Sequence, residues 1–122
     1  MARVLVVDDD PMILHLVRLN LELEGHEVVE AADGRSALHA VREDPPDVVV
    51  LDIMLPEVDG LEVCRRLQQD PVTAKVPVVL LSARALASDV QRGLSSGAVE
   101  YITKPFDPSD LIDVVERSVA GV

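Results

Sequence analysis

Val48-Val49-Val50-Leu51-Asp52-Ile53-Met54-Leu55-Pro56-Glu57-Val58-Asp59-Gly60 is the stretch that decides the fold. An apolar run dense in β-branched residues ends on one carboxylate, Asp52, and a turn bearing Pro56 and Gly60 follows at once. A short, continuously apolar run reads as a strand buried on both faces, as in a parallel sheet covered by helices. Ligands of open α/β sheets bind just outside the carboxyl ends of the strands, so Asp52 stands where chemistry is expected.

On either side of this stretch strand and helix alternate. Arg3 to Val7 is a second continuously apolar run, ending on Asp8-Asp9-Asp10-Pro11, where Asp10 suits a helix N-cap and Pro11 the first helical position. The helix from Pro11 to about Glu24 carries two apolar stripes, Ile13, Leu14, Val17 and Leu21 on one side and Leu16, Leu19 and Leu23 on the other. Two stripes predict burial against both the sheet and a neighbouring helix. Gly25 ends the helix. His26 to Ala31 is a less apolar strand, expected at an edge, and Asp33 caps a helix that stops before Pro45-Pro46. Beyond the opening stretch, Asp59 caps a third helix, Val76 to Ser82 is a fourth strand, and Leu86 to Ser96 is a helix with a thin apolar set interrupted by Gly93. Ala98 to Thr103 is the fifth strand, and Asp107-Pro108 opens the last helix. Five such alternations predict parallel strands joined by right-handed crossovers, a doubly wound α/β domain with helices on both faces. No linker or internal repeat interrupts it, and residues 1–122 read as a single domain.

Composition narrows the function. The chain has 122 residues, a common domain size, with 22 acids against 11 bases and a net charge of −11. Such a balance disfavours nucleic acid and anionic membrane surfaces, which need clustered cations, and suits a protein that concentrates cations. With no Trp, one Phe and one Tyr, the core must be aliphatic. The single cysteine, Cys64, falls on an apolar helix stripe with Leu61 and Leu67 and reads as core filler in a reducing compartment. No apolar stretch reaches the ~20 residues of a membrane span, and Met1-Ala2-Arg3 leads straight into a strand without room for a signal peptide. The expected location is cytoplasmic. His15, His26 and His39 lie on separate elements without metal-ligand spacing and read as partly exposed surface residues.

The strands of a parallel sheet all end on one side. The first ends in Asp8-Asp9, the third in Asp52, the fourth in Ser82 and the fifth in Lys104. Taken singly each has a bland reading, as a helix cap, a turn hydroxyl or a solvated loop charge. Five on one rim are not explained by separate accidents. Uncompensated, three carboxylates there would repel strongly. One Mg²⁺ on Asp9 and Asp52, together with the Lys104 ammonium, balances them, and Mg²⁺ prefers few carboxylates, water and phosphate oxygens. A phosphoryl group at Asp52 would then meet the metal, Lys104 and Ser82 on its oxygens, the setting for aspartyl-phosphate chemistry. No Walker loop and no Gly-x-Gly-x-x-Gly turn is present.

At these residues the chain resembles the receiver domain of two-component response regulators, over roughly Arg3 to Val119. The matching motifs are Leu5-Val6-Val7-Asp8-Asp9-Asp10-Pro11, Val50 to Pro56 with Asp59-Gly60, Leu81-Ser82-Ala83 and Lys104-Pro105-Phe106. The resemblance implies a chemotaxis-regulator-like (βα)5 fold with strand order 2-1-3-4-5. It implies Asp52 as phospho-acceptor from a sensor histidine kinase or phosphotransfer protein. Mg²⁺ or Mn²⁺ would be held by Asp9, Asp52 and the Met54 carbonyl, with Asp8 acting through water. Lys104 would bind phosphoryl oxygens, Ser82 and Tyr101 would form the switch pair, and the Lys104–Pro105 bond would be cis. Met54 and Arg84 would tune phosphoryl lifetime. A face spanning about residues 86–118 would address a downstream output domain or protein, with no output domain in this chain, and would admit a homodimer formed on phosphorylation. Two departures bear on that face. Val90, Ser95 and Val114 stand where receivers driving winged-helix domains carry Arg, Glu and Arg, and only Glu100 and Asp110 keep the acidic part. Two other readings stay open: a small Mg²⁺-dependent phosphohydrolase, although Met54 stands where its second aspartate belongs, and a phosphorylation-independent interaction module of the same fold.

Overall fold

The computed structural model describes residues 1–121; Val122, the last residue of the expected domain, lies outside them. Five strands alternate with five helices: β1 Arg3–Val7, α1 Pro11–Leu23, β2 Glu27–Ala31, α2 Gly34–Glu43, β3 Val48–Asp52, α3 Gly60–Gln69, β4 Val78–Ser82, α4 Ala87–Ser95, β5 Glu100–Thr103 and α5 Pro108–Ala120. The strands form one parallel sheet in the order β2-β1-β3-β4-β5. β3 and β4 are buried along their whole length, whereas β5 pairs with β4 alone and has no fully buried residue.

Strand alternation sends successive side chains to opposite faces. Leu5, Val7, Val49, Leu51, Val78 and Leu80 meet Ala37 and Val41 of α2 and Val63, Cys64 and Leu67 of α3. Val4, Val6, Val48, Val50, Val79 and Leu81 meet Val17 and Leu21 of α1 and Leu111 and Val115 of α5. Each such buried Val or Leu contributes about 1.5–3 kcal/mol. Cys64 is fully buried, and burial pushes its thiol pKa up, as expected of filler.

Helix starts follow the sequence closely. The Asp10, Asp33, Asp59 and Asp107 side chains each accept a backbone N–H of the first turn. Helix α4 is the exception: Leu86 stands at its N-cap and supplies no side-chain cap.

Three expectations are corrected. Leu16, Leu19 and Leu23 are 39, 48 and 77 % exposed. The α1 face that packs on the sheet and α5 is the Val17–Leu21 side, and among the described residues no further helix stands over the second stripe. Strand β4 begins at Val78 rather than Val76, since Pro77 has no N–H to donate, although its carbonyl still accepts from Val49. His26 is more enclosed than expected, partly exposed as a residue but with a largely buried side chain. Its backbone N–H closes α1 on the Leu21 carbonyl, its Nδ1 accepts the Ala2 N–H at 3.0 Å, and its Nε2 lies 2.9 Å from Glu116 of α5. With Nδ1 accepting, Nε2 carries the proton and donates to the carboxylate. The ring thus ties β1, β2 and α5 together with a side chain only 7 % exposed. His26→Ala should therefore cost about 1–3 kcal/mol in urea unfolding, because the Ala2 N–H loses its acceptor; an unchanged midpoint would contradict this.

Candidate functional site

The C-terminal ends of β1, β3, β4 and β5 bring Asp8, Asp9, Asp52, Ser82 and Lys104 to one rim. Lys104 is fixed there from both sides. Its backbone N–H donates to the Ser82 carbonyl at 2.8 Å, continuing the β4–β5 ladder, and the Lys104–Pro105 peptide that follows is cis. Its Nζ then reaches Asp8 Oδ2 at 2.9 Å and Asp52 Oδ1 at 3.4 Å. Asp8 also shapes its own turn, its Oδ1 accepting the Asp10 N–H at 2.9 Å.

Asp8 and Asp52 are buried and Asp9 is exposed; one oxygen of each lies within 4.8 Å of the others. Burial, then the charge of Asp8, raises the Asp52 pKa above its ordinary value, while Lys104 and the Met54 N–H (3.2 Å from Oδ1) pull it down. Burial penalises the Lys104 ammonium as well, yet the hydrogen bond to Asp8 and the charges of Asp52 and Asp8 outweigh it, and its pKa is raised. Of the two buried carboxylates, Asp8 is the nearer to Lys104 Nζ, at 2.9 Å against 3.4 Å for Asp52.

A rim of this kind needs backbone packed close behind it. Gly60, first residue of α3, donates its N–H to the Ile53 carbonyl at 2.8 Å. A Cβ there would stand 2.3 Å from the Asp52 carbonyl oxygen and 2.6 Å from Ile53 Cα. The turn between them includes Glu57, a non-glycine residue with φ 63°.

Outside Asp52 opens a cavity of about 520 Å³ bordered by Asp9, Met54, Ser82, Arg84 and Tyr101 among others. Met54 is 56 % exposed at its mouth. Ser82 Oγ accepts the Arg84 N–H at 3.1 Å, and the Arg84 carbonyl accepts the Tyr101 hydroxyl at 2.7 Å. One peptide segment, Arg84, therefore links the Ser82 and Tyr101 side chains. The sequence points to Arg84 as a tuner of phosphoryl lifetime; the link to Ser82 and Tyr101 is made by its backbone, which no residue type announces. On the α4–β5–α5 face Leu86 and Leu94 are exposed, and Glu100 is held within the chain by Arg117.

A family profile described as "Response regulator receiver domain" matches residues 4–116. The chain belongs to the response regulator receiver family. Among curated relatives, the receiver is 45% identical over 112 residues to the DNA-binding dual master transcriptional regulator RpaA of Synechocystis, covering 92% of this chain and 46% of that protein. The chain spans about half the length of the curated relatives it matches. A putative response regulator from Chloroflexus aurantiacus superposes with a TM-score of 0.93 at 35% identity, covering 98% of both chains. The receiver domain of a sensor histidine kinase from Pseudomonas aeruginosa, with a magnesium ion coordinated in its active-site cleft, superposes at 0.90 with 28% identity, again over 98% of both. The doubly wound order 2-1-3-4-5 is thus the order of the receiver fold.

Proposed function

We propose that this receiver accepts a phosphoryl group on Asp52 from the phosphohistidine of a sensor histidine kinase or phosphotransfer protein. The observation that carries the reading is a buried carboxylate 3.4 Å from a lysine, with two further acids close by and Ser82 at the end of the neighbouring strand. An Asp52 oxygen attacks phosphorus, the N–P bond breaks, and the imidazole leaves with its electron pair. Lys104 lies within reach of the acceptor oxygen and would meet charge on the phosphoryl oxygens. Ser82 already accepts a hydrogen bond through Oγ, so its own proton is the one to donate to the incoming group.

The donor set fits a hard divalent cation. Three carboxylates and one ammonium leave a formal charge of −2, and the groups on offer are all oxygens. Asp9, Asp52 and the Met54 carbonyl would hold Mg²⁺ or Mn²⁺, with Asp8 acting through water. Such an ion supplies charge neutralisation at the reacting oxygens.

Ser82 and Tyr101 then serve as the switch pair. If the Ser82 hydroxyl turns to the phosphoryl group, the Arg84 N–H loses its acceptor and the inward-turned Tyr101 ring fills the space behind the hydroxyl. The change reaches α4, β5 and α5, so that residues of about 86–118 address an output domain or partner protein, including a second copy on phosphorylation. Met54 and Arg84, at the cavity mouth, limit water's approach and set the phosphoryl lifetime. The receiver acts stoichiometrically and not as a turnover enzyme. A net charge of −11 argues against direct nucleic-acid contact by this domain, whatever the relatives' other halves bind. No helix among the described residues is long and apolar enough to cross a membrane, in keeping with a cytoplasmic partner.

Intact mass after incubation with a small acyl phosphate and Mg²⁺ tests the reading. One phosphoryl group should be gained by the wild type and none by Asp52→Asn. No gain from any donor would overturn the proposal, and steady turnover of a phosphomonoester would replace it with the phosphohydrolase.

A further inference from the structure

Helix α1 has a face that the fold does not use. Met12, Leu16, Leu19 and Leu23 are 80, 39, 48 and 77 % exposed, and among the described residues no other helix carries more than one exposed large apolar side chain. Their spacing of four, three and four residues is that of the heptad seam along which one α-helix packs on another. On a 3.6-residue helix it places all four within about 60° of arc. Val17 and Leu21, which pack on the sheet, lie on the far side of the helix. Charge sets this face apart as well. The chain carries −11, yet within Pro11–Leu23 one arginine and one glutamate cancel, and Arg18 and Glu22 bond each other at 3.2 Å.

We propose that the α1 stripe is the contact surface for a second copy of this chain, the two helices packing antiparallel about a two-fold axis between Leu16 and Leu19. In that register Met12 meets Leu23 of the second copy and Leu16 meets its Leu19. Every seam residue is thus matched by an apolar one, and the contact closes on itself as a two-fold interface must. Antiparallel packing also sets each helix N-terminus beside the other's C-terminus, which suits their dipoles. Along one edge of the seam His15 stands beside Glu22 of the second copy, an imidazole N–H against a carboxylate. Self-matching and charge both select a second copy. Two chains of −11 repel over most of their surfaces, and along α1 they approach without that penalty. The 13 residues of α1 make a rod about 20 Å long. Burial along it falls below the ~800 Å² per partner of a standard interface, so the pair is weak and reversible. α1 packs on β1 and β2, whereas β5 forms the opposite margin of the sheet with α4 beside it. The pair therefore leaves α4 and β5 free and forms without phosphorylation.

Sedimentation of the unphosphorylated chain at concentrations up to about 1 mM tests the pairing. Leu19→Glu probes the seam, and Leu86→Glu, on the exposed α4 side, is the control. Wild type and Leu86→Glu should show an average mass that rises toward twice the monomer with concentration. The rise should be steeper in high salt, which screens the two net charges. Leu19→Glu should weaken the association about tenfold or more and leave the urea midpoint unchanged, because residue 19 is half exposed. Direction is read from oxidative cross-linking of variants that each carry one added cysteine, the native Cys64 being buried. Met12→Cys and Leu23→Cys, mixed, should cross-link to each other faster than either does to itself. Should Leu19→Glu be destabilised, the cross-links decide alone. A wild type that stays monomeric at every concentration overturns the proposal and leaves the stripe to a helix of another protein. A dimer that Leu19→Glu leaves intact overturns it too, as does a Met12→Cys variant that cross-links to itself ahead of the mixed pair.

Discussion

Asp52→Asn should make the unphosphorylated protein more stable at neutral pH in the absence of divalent cations, by on the order of 1–2 kcal/mol. Asp52 is 3 % exposed and its carboxylate is opposed first by burial and then by Asp8. Lys104 offsets this only partly, being 2.9 Å from Asp8 and 3.4 Å from Asp52. An asparagine removes the charge and keeps an oxygen for the Met54 N–H. The pH dependence has a defined sign. With its folded pKa raised above the ordinary 3.8, Asp52 keeps its proton in the folded protein at a pH where the unfolded chain has released it. Stability from this group is then greatest below the unfolded value and is lost as the pH rises through the folded one. The advantage of Asp52→Asn should accordingly shrink toward zero on acidification and be full at pH 7. Added Mg²⁺ should stabilise the wild type more than the variant, because a ligand held by the folded state alone raises its stability. Urea midpoints at pH 7 and near pH 4, with and without Mg²⁺, decide the matter. A variant less stable than wild type at pH 7 without Mg²⁺ would show that Lys104 compensates Asp52 fully.

Gly60→Ala should have the largest cost, about 3 kcal/mol or more. Its Cβ would stand 2.3 Å from the Asp52 carbonyl oxygen and 2.6 Å from Ile53 Cα, so the clash is with backbone at the end of β3 and no rotamer relieves it. Either α3 slides along the sheet, uncovering Val63 and Leu67, or the end of β3 bends and Asp52 moves with it. Both losses should be visible, one as a lowered urea midpoint and the other as a poorer phosphoryl gain at a temperature where the variant remains folded. A midpoint within experimental error of wild type would rule out the tight approach described for α3 and β3.

What could be read in the sequence was what local chemistry encodes. Asp10-Pro11 and Asp107-Pro108 announce helix starts because cap and first-position proline are adjacent in the chain. Asp8, Asp9, Asp52, Ser82 and Lys104 share a rim because parallel strands end on one side. What could not be read depends on distance in three dimensions. The Lys104 preference for Asp8 over Asp52 is a contact across 96 positions. The exposure of Leu16, Leu19 and Leu23 depends on which helices stand beside α1, and periodicity cannot say that. His26 finds Ala2 and Glu116 from opposite ends of the chain. Gly60 is required by neighbouring backbone, so its meaning lies in atoms that other residues contribute.

Strand β5 has one hydrogen-bonded ladder where β1, β3 and β4 have two, and none of its residues is fully buried. The sheet is therefore graded in stiffness from centre to margin. Displacing β5 disturbs the contacts of Tyr101 and Ile102 but leaves the Val48–Leu51 centre, shared between both helical layers, intact. The anchor that holds Asp52 and the margin that bears Tyr101 differ in compliance while sharing a single sheet. Chemistry at the rigid part can then be transmitted as movement of the soft part, and the fold need not loosen as a whole.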